Sequence, residues 1–205
     1  MNPIVVREQR NGYRERSQQI KKITESFFSE FLEGFFPEIW RKTKLNSLIQ
    51  LPDGELFNEE NTIVFQVVLD GSKTIIFVHI NNHPYESRQL NEEMFHIFSK
   101  LYFTYQMPVI PILLDEKNCS EPSYHVILAN HKFISFNYLT VQVDKKKWRE
   151  YLSQNNVVAA VLLHKMNFSE KEEVQFEIEL LRMIRRIHIN STDRRLLYNY
   201  FTDRE

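Results

Sequence analysis

The sequence predicts a mixed α/β fold, in which a sheet flanked by helices is followed by a helical C-terminal extension. Two β-rich runs separated by a turn signal predict an antiparallel hairpin, at residues 62–69 and 74–80. A helical pattern and a fully apolar run follow, which predicts a parallel crossover onto the same sheet. After residue 145 the apolar patterns have helical spacing.

The composition is typical of a packed protein. Of 205 residues, 42% are hydrophobic and only four are glycine, so the chain has enough apolar surface to offset the entropy lost on folding. The length is compatible with a single domain. We expect an N-terminal arm at residues 1–16, a core at residues 17–144 and the helical extension at residues 145–205, packed on the same domain.

The first helix is predicted at residues 17–36, because its apolar side chains recur every three or four positions. Pro37 is expected to end it. In the hairpin that follows, Asp70 and Gly71 separate the two strands. This dipeptide favours the positive φ angles of a tight turn.

The next helix is predicted at residues 87–105, and the apolar run at residues 109–114 is predicted as a strand covered on both faces. Three shorter β-type runs follow, at residues 124–128, 133–136 and 139–143. The C-terminal helices are predicted at residues 147–152, 157–165, 170–187 and 194–201. Ser169 and Glu172 have the spacing of a capping box at the start of the third of these.

The formal charge of −1 and the isoelectric point near 6.7 exclude a strong overall attraction to nucleic acid, so such binding would need local basic patches. The chain has one cysteine, Cys119, which cannot form an internal disulfide. No apolar run is long enough to cross a bilayer, and the first residues lack the pattern of a signal peptide. We expect a soluble cytoplasmic protein with no membrane partner.

Five short segments, in order along the chain, together carry a resemblance to a known protein family. They are Phe-Phe-Pro-Glu at residues 35–38, Val-His-Ile at 78–80, Glu-Met-Phe at 93–95, Tyr-Gln-Met-Pro-Val-Ile-Pro-Ile at 105–112 and Asn-Val-Val-Ala-Ala-Val at 156–161. Together they resemble the recombination-promoting nuclease and transposase-like family, also called YhgA-like. The resemblance extends in unbroken order over residues 17–203, which is more specific than any one short motif.

The resemblance implies a bacterial protein with the fold of the PD-(D/E)XK nucleases. In that family an aspartate and a glutamate on adjacent hairpin strands hold one Mg²⁺ or Mn²⁺. The cation activates water for phosphodiester cleavage and stabilises the charge that develops on the phosphate. A lysine or glutamine two residues after the glutamate helps to orient the water or the phosphate.

This chain departs from the family pattern at all three positions. Thr62 stands in place of the aspartate, Asn81 in place of the glutamate and His83 in place of the lysine or glutamine. A hydroxyl and an amide oxygen are neutral, so they add no attraction to offset dehydration of a divalent cation. The resemblance therefore implies an inactive site with no metal and no other cofactor.

Nearby acids could restore the site. Glu55 and Glu60 precede the first hairpin strand and are candidates for relocated carboxylates, provided that their loop folds over the site. The chain would then be an active DNA endonuclease that depends on Mg²⁺ or Mn²⁺. Asp70 is interpreted as a turn residue instead, because it lies at the opposite end of the two strands.

The histidines near the hairpin have two interpretations, a zinc site or a structural role. His79 and His83 supply too few ligands for zinc, so His79 is interpreted as a packed or hydrogen-bonded residue.

The candidate nucleic-acid-binding cluster is Lys145, Lys146, Lys147 and Arg149. Such clusters can neutralise phosphates, or they can form solvated helix faces that neighbouring glutamates balance.

The sequence thus predicts a catalytically inactive nuclease- or transposase-like protein. It would act by binding DNA or another nucleic acid, or by binding a protein partner, including a second copy of itself. The alternative is an active metal-dependent DNA endonuclease with relocated acidic residues.

Overall fold

The structure is a computed structural model that describes residues 3–51, 61–81, 87–115 and 122–202. The α-helices of these residues are α1 (Pro3–Ser26), α2 (Phe28–Phe35), α3 (Pro37–Lys42), α4 (Ser87–Tyr105), α5 (Val157–Leu162), α6 (Glu173–Arg186) and α7 (Ser191–Thr202). The strands are β1 (Ile49–Gln50), β2 (Thr62–Leu69), β3 (Ser72–Asn81), β4 (Val109–Asp115), β5 (Ser123–Leu128), β6 (His131–Asn137) and β7 (Leu139–Gln142).

The chain divides into two compact units. The strand unit comprises Lys42–Gln142, and the helical unit comprises Met1–Arg41 together with Val143–Glu205. The chain therefore enters and leaves the strand unit once, and both terminal segments contribute to the helical unit.

The strand unit contains a five-stranded mixed sheet in the order β1-β2-β3-β4-β7. Strand β2 is antiparallel to both of its neighbours, β1 and β3, whereas β4 is parallel to both β3 and β7. This arrangement confirms the predicted mixed α/β class, the hairpin and the parallel crossover through α4. Asp70 and Gly71 join β2 to β3 with φ angles of 47° and 81°, as their turn-forming preference predicts.

Helix α4 packs on one face of this sheet, where its apolar stripe meets alternate residues of the strands. Val64, Phe77 and Leu113 supply the strand side of this core. Leu90, Met94, Ile97 and Leu101 supply the helix side, at the spacing that the sequence predicts. This packing places the first turns of α4 beside the carboxyl ends of β3 and β4.

The strands β5 and β6 form a two-stranded sheet of their own, inserted in the chain between β4 and β7. Ala129 and Asn130 make the turn with φ angles of 47° and 64°. Phe136 at the base of this hairpin lies 5.0 Å from Phe98 and 5.4 Å from Phe95 of α4, measured between ring centroids. The short β-type runs were correct as strands, but periodicity did not indicate that two of them leave the main sheet.

The helical unit differs from its predicted elements at the N-terminus. The predicted helix at residues 17–36 is two helices, because Phe27 leaves helical geometry with φ −121° and ψ 40°. Pro37 begins α3, as its fixed φ and missing amide allow at a first helical position. Helix α1 begins at Pro3 and so includes most of the predicted N-terminal arm.

The C-terminal half of the helical unit follows the predicted order, except that the helix predicted at residues 147–152 is only a 3₁₀ turn at Trp148–Glu150. The Ser169 amide and hydroxyl both donate to the Glu172 carboxylate at 2.8 Å. The glutamate side of the predicted capping box is thus present, while the serine hydroxyl donates to the carboxylate instead of accepting from an amide. Within the described part of the chain, no helix combines the length and apolarity needed to span a membrane.

Candidate functional site

The open end of the β2–β3 hairpin carries a group of polar side chains in the strand unit. Thr62 begins β2, Asn81 ends β3 and Asp115 ends β4. The sheet register pairs Thr62 with His79 across the antiparallel ladder and Asn81 with Asp115 across the parallel one. Together with Glu93 of α4, these residues are called the polar cluster below.

The polar cluster continues the face of the sheet that packs against α4. Side chains alternate between the two faces of a strand, so His79 and Asn81 lie on the same face as the core residue Phe77. Asp115 likewise shares the face of Leu113. Apolar packing therefore gives way to polar side chains within two residues along both strands.

His79 is the centre of the buried part of this cluster, with 3% of its surface exposed. Its Nδ1 shares a hydrogen bond of 3.0 Å with the Thr62 hydroxyl, and its Nε2 lies 3.6 Å from the Glu93 carboxylate. Burial lowers the pKa of His79 to about 4, and this outweighs the neighbouring carboxylate. The imidazole is thus neutral near pH 7, so its contact with Glu93 is not an ion pair.

Asn81 and Asp115 form the second pair of the cluster. The Asn81 amide nitrogen donates to Asp115 Oδ1 at 3.2 Å, and Asp115 is 3% exposed. An amide donor therefore faces this buried carboxylate. Asn61, next to Thr62, has a buried side-chain oxygen with no hydrogen-bond partner among the described residues.

Sequence reasoning missed Asp115 and Glu93 as members of this site. Asp115 follows directly after the apolar run of β4, and a carboxylate at the carboxyl end of a parallel strand is a usable signal. Its place beside Asn81 depends on the parallel register, which the sequence alone does not specify. Glu55, Glu60 and His83 lie outside the described residues, and their roles stay predictions.

The described part of the cluster does not assemble a metal site by itself. Among residues 15–51, 61–81, 88–115, 122–169 and 171–201, no three histidine, cysteine, aspartate or glutamate side chains are grouped so that they could hold a metal ion. Within the described residues, the cluster pairs Thr62 with His79 and Asn81 with Asp115 through side-chain hydrogen bonds, as buried polar groups require.

The basic cluster lies in the helical unit. Lys145, Lys147 and Arg149 are exposed and Lys146 is half-buried. Arg149 lies over the Trp148 ring at 4.4 Å and contacts the Glu172 carboxylate. Hydrogen bonds from the Ser169 amide, from Arg149 and from the Ser169 hydroxyl lower the pKa of Glu172 to about 2. One of the four cations is thus balanced by a carboxylate, and the lysines provide the exposed positive charge.

Comparison with protein-family models, curated proteins and solved structures finds no significant match to the chain.

Proposed function

We propose that the chain is a catalytically inactive protein with a PD-(D/E)XK nuclease-like fold, which acts by binding nucleic acid or a protein partner. One observation carries the proposal. The two positions that would hold a divalent cation are Thr62 and Asn81, and both neutral side chains are hydrogen-bonded to neighbours in the sheet.

Electrostatics explains why these contacts oppose catalysis. A divalent cation sheds water only where anionic oxygens replace it, and the hairpin strands offer a hydroxyl and an amide. Asp115 does provide one carboxylate, but the Asn81 amide already donates to it at 3.2 Å. Loss of groups that stabilise a transition state typically lowers catalytic rates by about 10² or more for each group.

The exposed lysines Lys145 and Lys147 favour nucleic acid as the ligand. When exposed cationic side chains bind phosphates, counterions are released from the nucleic acid. This release raises the affinity for nucleic acid whatever its base sequence. Since the net charge of the chain is −1, this local surface would supply the attraction that the whole molecule lacks.

The test combines cleavage and binding with the purified full chain. We expect no cleavage of single- or double-stranded DNA or RNA with Mg²⁺ or Mn²⁺, and salt-sensitive binding of a labelled oligonucleotide. The double substitution Lys145→Glu and Lys147→Glu should weaken binding about tenfold or more and flatten its salt dependence. Lys73→Glu with Lys132→Glu makes the same charge change on exposed strand-unit residues and should have little effect.

Two results would contradict parts of this proposal. Metal-dependent cleavage that Asn81→Ala abolishes would refute the inactive site. Absence of oligonucleotide binding at low salt would remove nucleic acid as the ligand and leave the protein partner.

The buried carboxylate of Asp115 favours one alternative, an active metal-dependent DNA endonuclease with relocated acids. Asp115 would supply one anionic ligand, and Glu55 or Glu60 would have to supply another. In that case Asp115→Asn would abolish cleavage in Mn²⁺ while leaving the isosteric side chain in place. Equal and negligible cleavage by the wild type and Asp115→Asn would reject this alternative.

A further inference from the structure

Helix α6 has apolar side chains on two opposite faces. Phe176, Leu180 and Met183 are buried on one face and belong to the core. Val174, Ile178 and Leu181 lie on the other face, with 71%, 46% and 58% of their surfaces exposed. A helix at the surface of a globular unit needs only one apolar stripe. The second stripe, called the outer seam below, is therefore available to a partner.

The spacing of the outer seam is that of a helix-pairing surface. Its apolar residues are separated by four and then three positions, which is the alternation of d and a positions in a heptad. Arg185 continues the spacing in the last turn, where its long stem can cover apolar surface while the guanidinium remains in water.

Charges beside the outer seam indicate which partner it fits. Glu177 and Arg182 are both exposed and lie on opposite edges of the seam, at the g and e positions of the same heptad pattern. In a parallel pair of identical helices, a g residue faces the e residue five positions further along in the other copy. Glu177 and Arg182 are five positions apart, so opposite charges would meet on both edges of a two-fold pair.

We propose that the outer seam of α6 is a self-association surface, through which two copies of the chain pair by parallel α6 helices. An antiparallel pair would place g beside g and e beside e, so that glutamate would face glutamate and arginine would face arginine. The charge pattern therefore selects the parallel arrangement. This inference deepens the protein-partner branch of the proposed function. It involves neither the polar cluster nor the lysines, so its failure would leave the inactive site and nucleic-acid binding untouched.

Arg182 already contacts a carboxylate within its own helix, and this contact is compatible with pairing to Glu177 of a second copy. Its guanidinium donates to Glu179 within the same helix at 2.6 Å, while 64% of its side chain remains exposed. Exposed pairs of this kind contribute little, so a second carboxylate can share or replace Glu179. Three apolar residues per copy make a small interface, and the dissociation constant should lie at about 10 µM to 1 mM.

Sedimentation of the full chain over a wide concentration range tests the surface itself. We expect a reversible monomer–dimer equilibrium, which Leu181→Asp weakens about tenfold or more because it places paired charges in the seam. Phe103→Asp is the matched control, since Phe103 of α4 is 81% exposed and lies outside the seam. A wild type that stays monomeric, or a Leu181→Asp variant that dimerises as well as the wild type, would overturn the proposal.

A charge exchange tests the parallel arrangement. Glu177→Arg and Arg182→Glu should each weaken the dimer several-fold, because each places like charges on both edges. The double variant restores opposite charges and should recover most of the wild-type affinity. Unchanged circular dichroism would show that the single variants are folded, and a double variant as weak as the singles would contradict parallel pairing.

Discussion

The Asn81–Asp115 pair shows how an amide nitrogen in place of a carboxylate oxygen changes the chemistry of a site. The nitrogen of the half-buried Asn81 donates to the buried Asp115 at 3.2 Å. A carboxylate at position 81 would be isosteric, but it would place two anions on paired residues of adjacent strands. The two carboxylates would repel each other unless a proton or a cation lay between their oxygens.

Asn81→Asp is therefore expected to destabilise the chain, by about 1–3 kcal/mol at neutral pH. Millimolar Mn²⁺ should recover part of this loss, because a ligand that binds only the folded state stabilises it. Denaturant unfolding with and without Mn²⁺ measures both effects. Asn81→Ala serves as the control, since it loses the donor without adding an anion and should not respond to Mn²⁺. An Asn81→Asp variant indifferent to Mn²⁺ would contradict the expectation.

His79 gives the chain a predicted pH dependence. Unfolded histidine binds its proton near pH 6.5, whereas the buried imidazole binds it only near pH 4. The unfolded state thus holds more protons between these values, so stability is complete above pH 6.5 and falls as the pH drops towards 4. The loss attributable to His79 is about 3 kcal/mol.

Unfolding free energies of the wild type and His79→Gln, measured from pH 7.5 to 4, test this assignment. Glutamine does not titrate in that range, so the variant should show a shallower decline between pH 6.5 and 4. Parallel profiles for the two proteins would assign the pH dependence to other groups.

At the scale of elements, Asn156 connects two helices of the helical unit. Its side-chain oxygen accepts the Ala159 amide at 2.8 Å and so caps α5, and its nitrogen donates to the Glu30 carbonyl of α2 at 2.6 Å. Gly34 of α2 leaves room for this side chain, because a Cβ there would lie 2.8 Å from the Asn156 nitrogen. One buried amide thus serves both a helix end and a helix–helix contact.

Asn156→Ala should lose both interactions and destabilise the chain by about 2–3 kcal/mol. Asn156→Asp retains an oxygen for the α5 cap but loses the donor to Glu30, and it places a charge at a site that is 4% exposed. Thermal unfolding followed by circular dichroism measures each loss. Wild-type stability in Asn156→Ala would show that neither bond contributes.

At the scale of the whole molecule, the helical unit depends on residues far apart in the chain. Helices α1 and α2 contact α5, and α1 also contacts α7. Ile20, Ile23, Phe31 and Leu32 are almost wholly buried in this unit. Closing such long-range contacts costs chain entropy before apolar burial can compensate it, so the unit should form late and as a whole.

A chain that ends at residue 142 should therefore leave α1 and α2 without their partners. We expect hydrogen exchange at residues 20–32 to become fast in this fragment, while the full-length chain protects the same amides. Mass spectrometry of exchanged peptides gives the comparison. Full protection of residues 20–32 in the fragment would show that the N-terminal helices are stable without the C-terminal segment.

Local chemistry in the sequence was sufficient for several elements. The Asp70-Gly71 dipeptide determined the hairpin turn through its backbone preferences, and the spacing of apolar residues determined the extent and the buried face of α4. The sequence also predicted that the side chains at positions 62 and 81 are neutral, because this depends only on residue identity. Each of these features arises from residues close together in the chain.

Tertiary structure alone decided which distant residues meet. The parallel register placed Asp115 beside Asn81, packing of α4 on the sheet brought Glu93 to His79, and the β5–β6 hairpin left the main sheet. The second apolar face of α6 likewise became visible only once the first was buried. Periodicity specifies the face of an element, whereas its neighbours are selected by packing and hydrogen bonding across the whole fold.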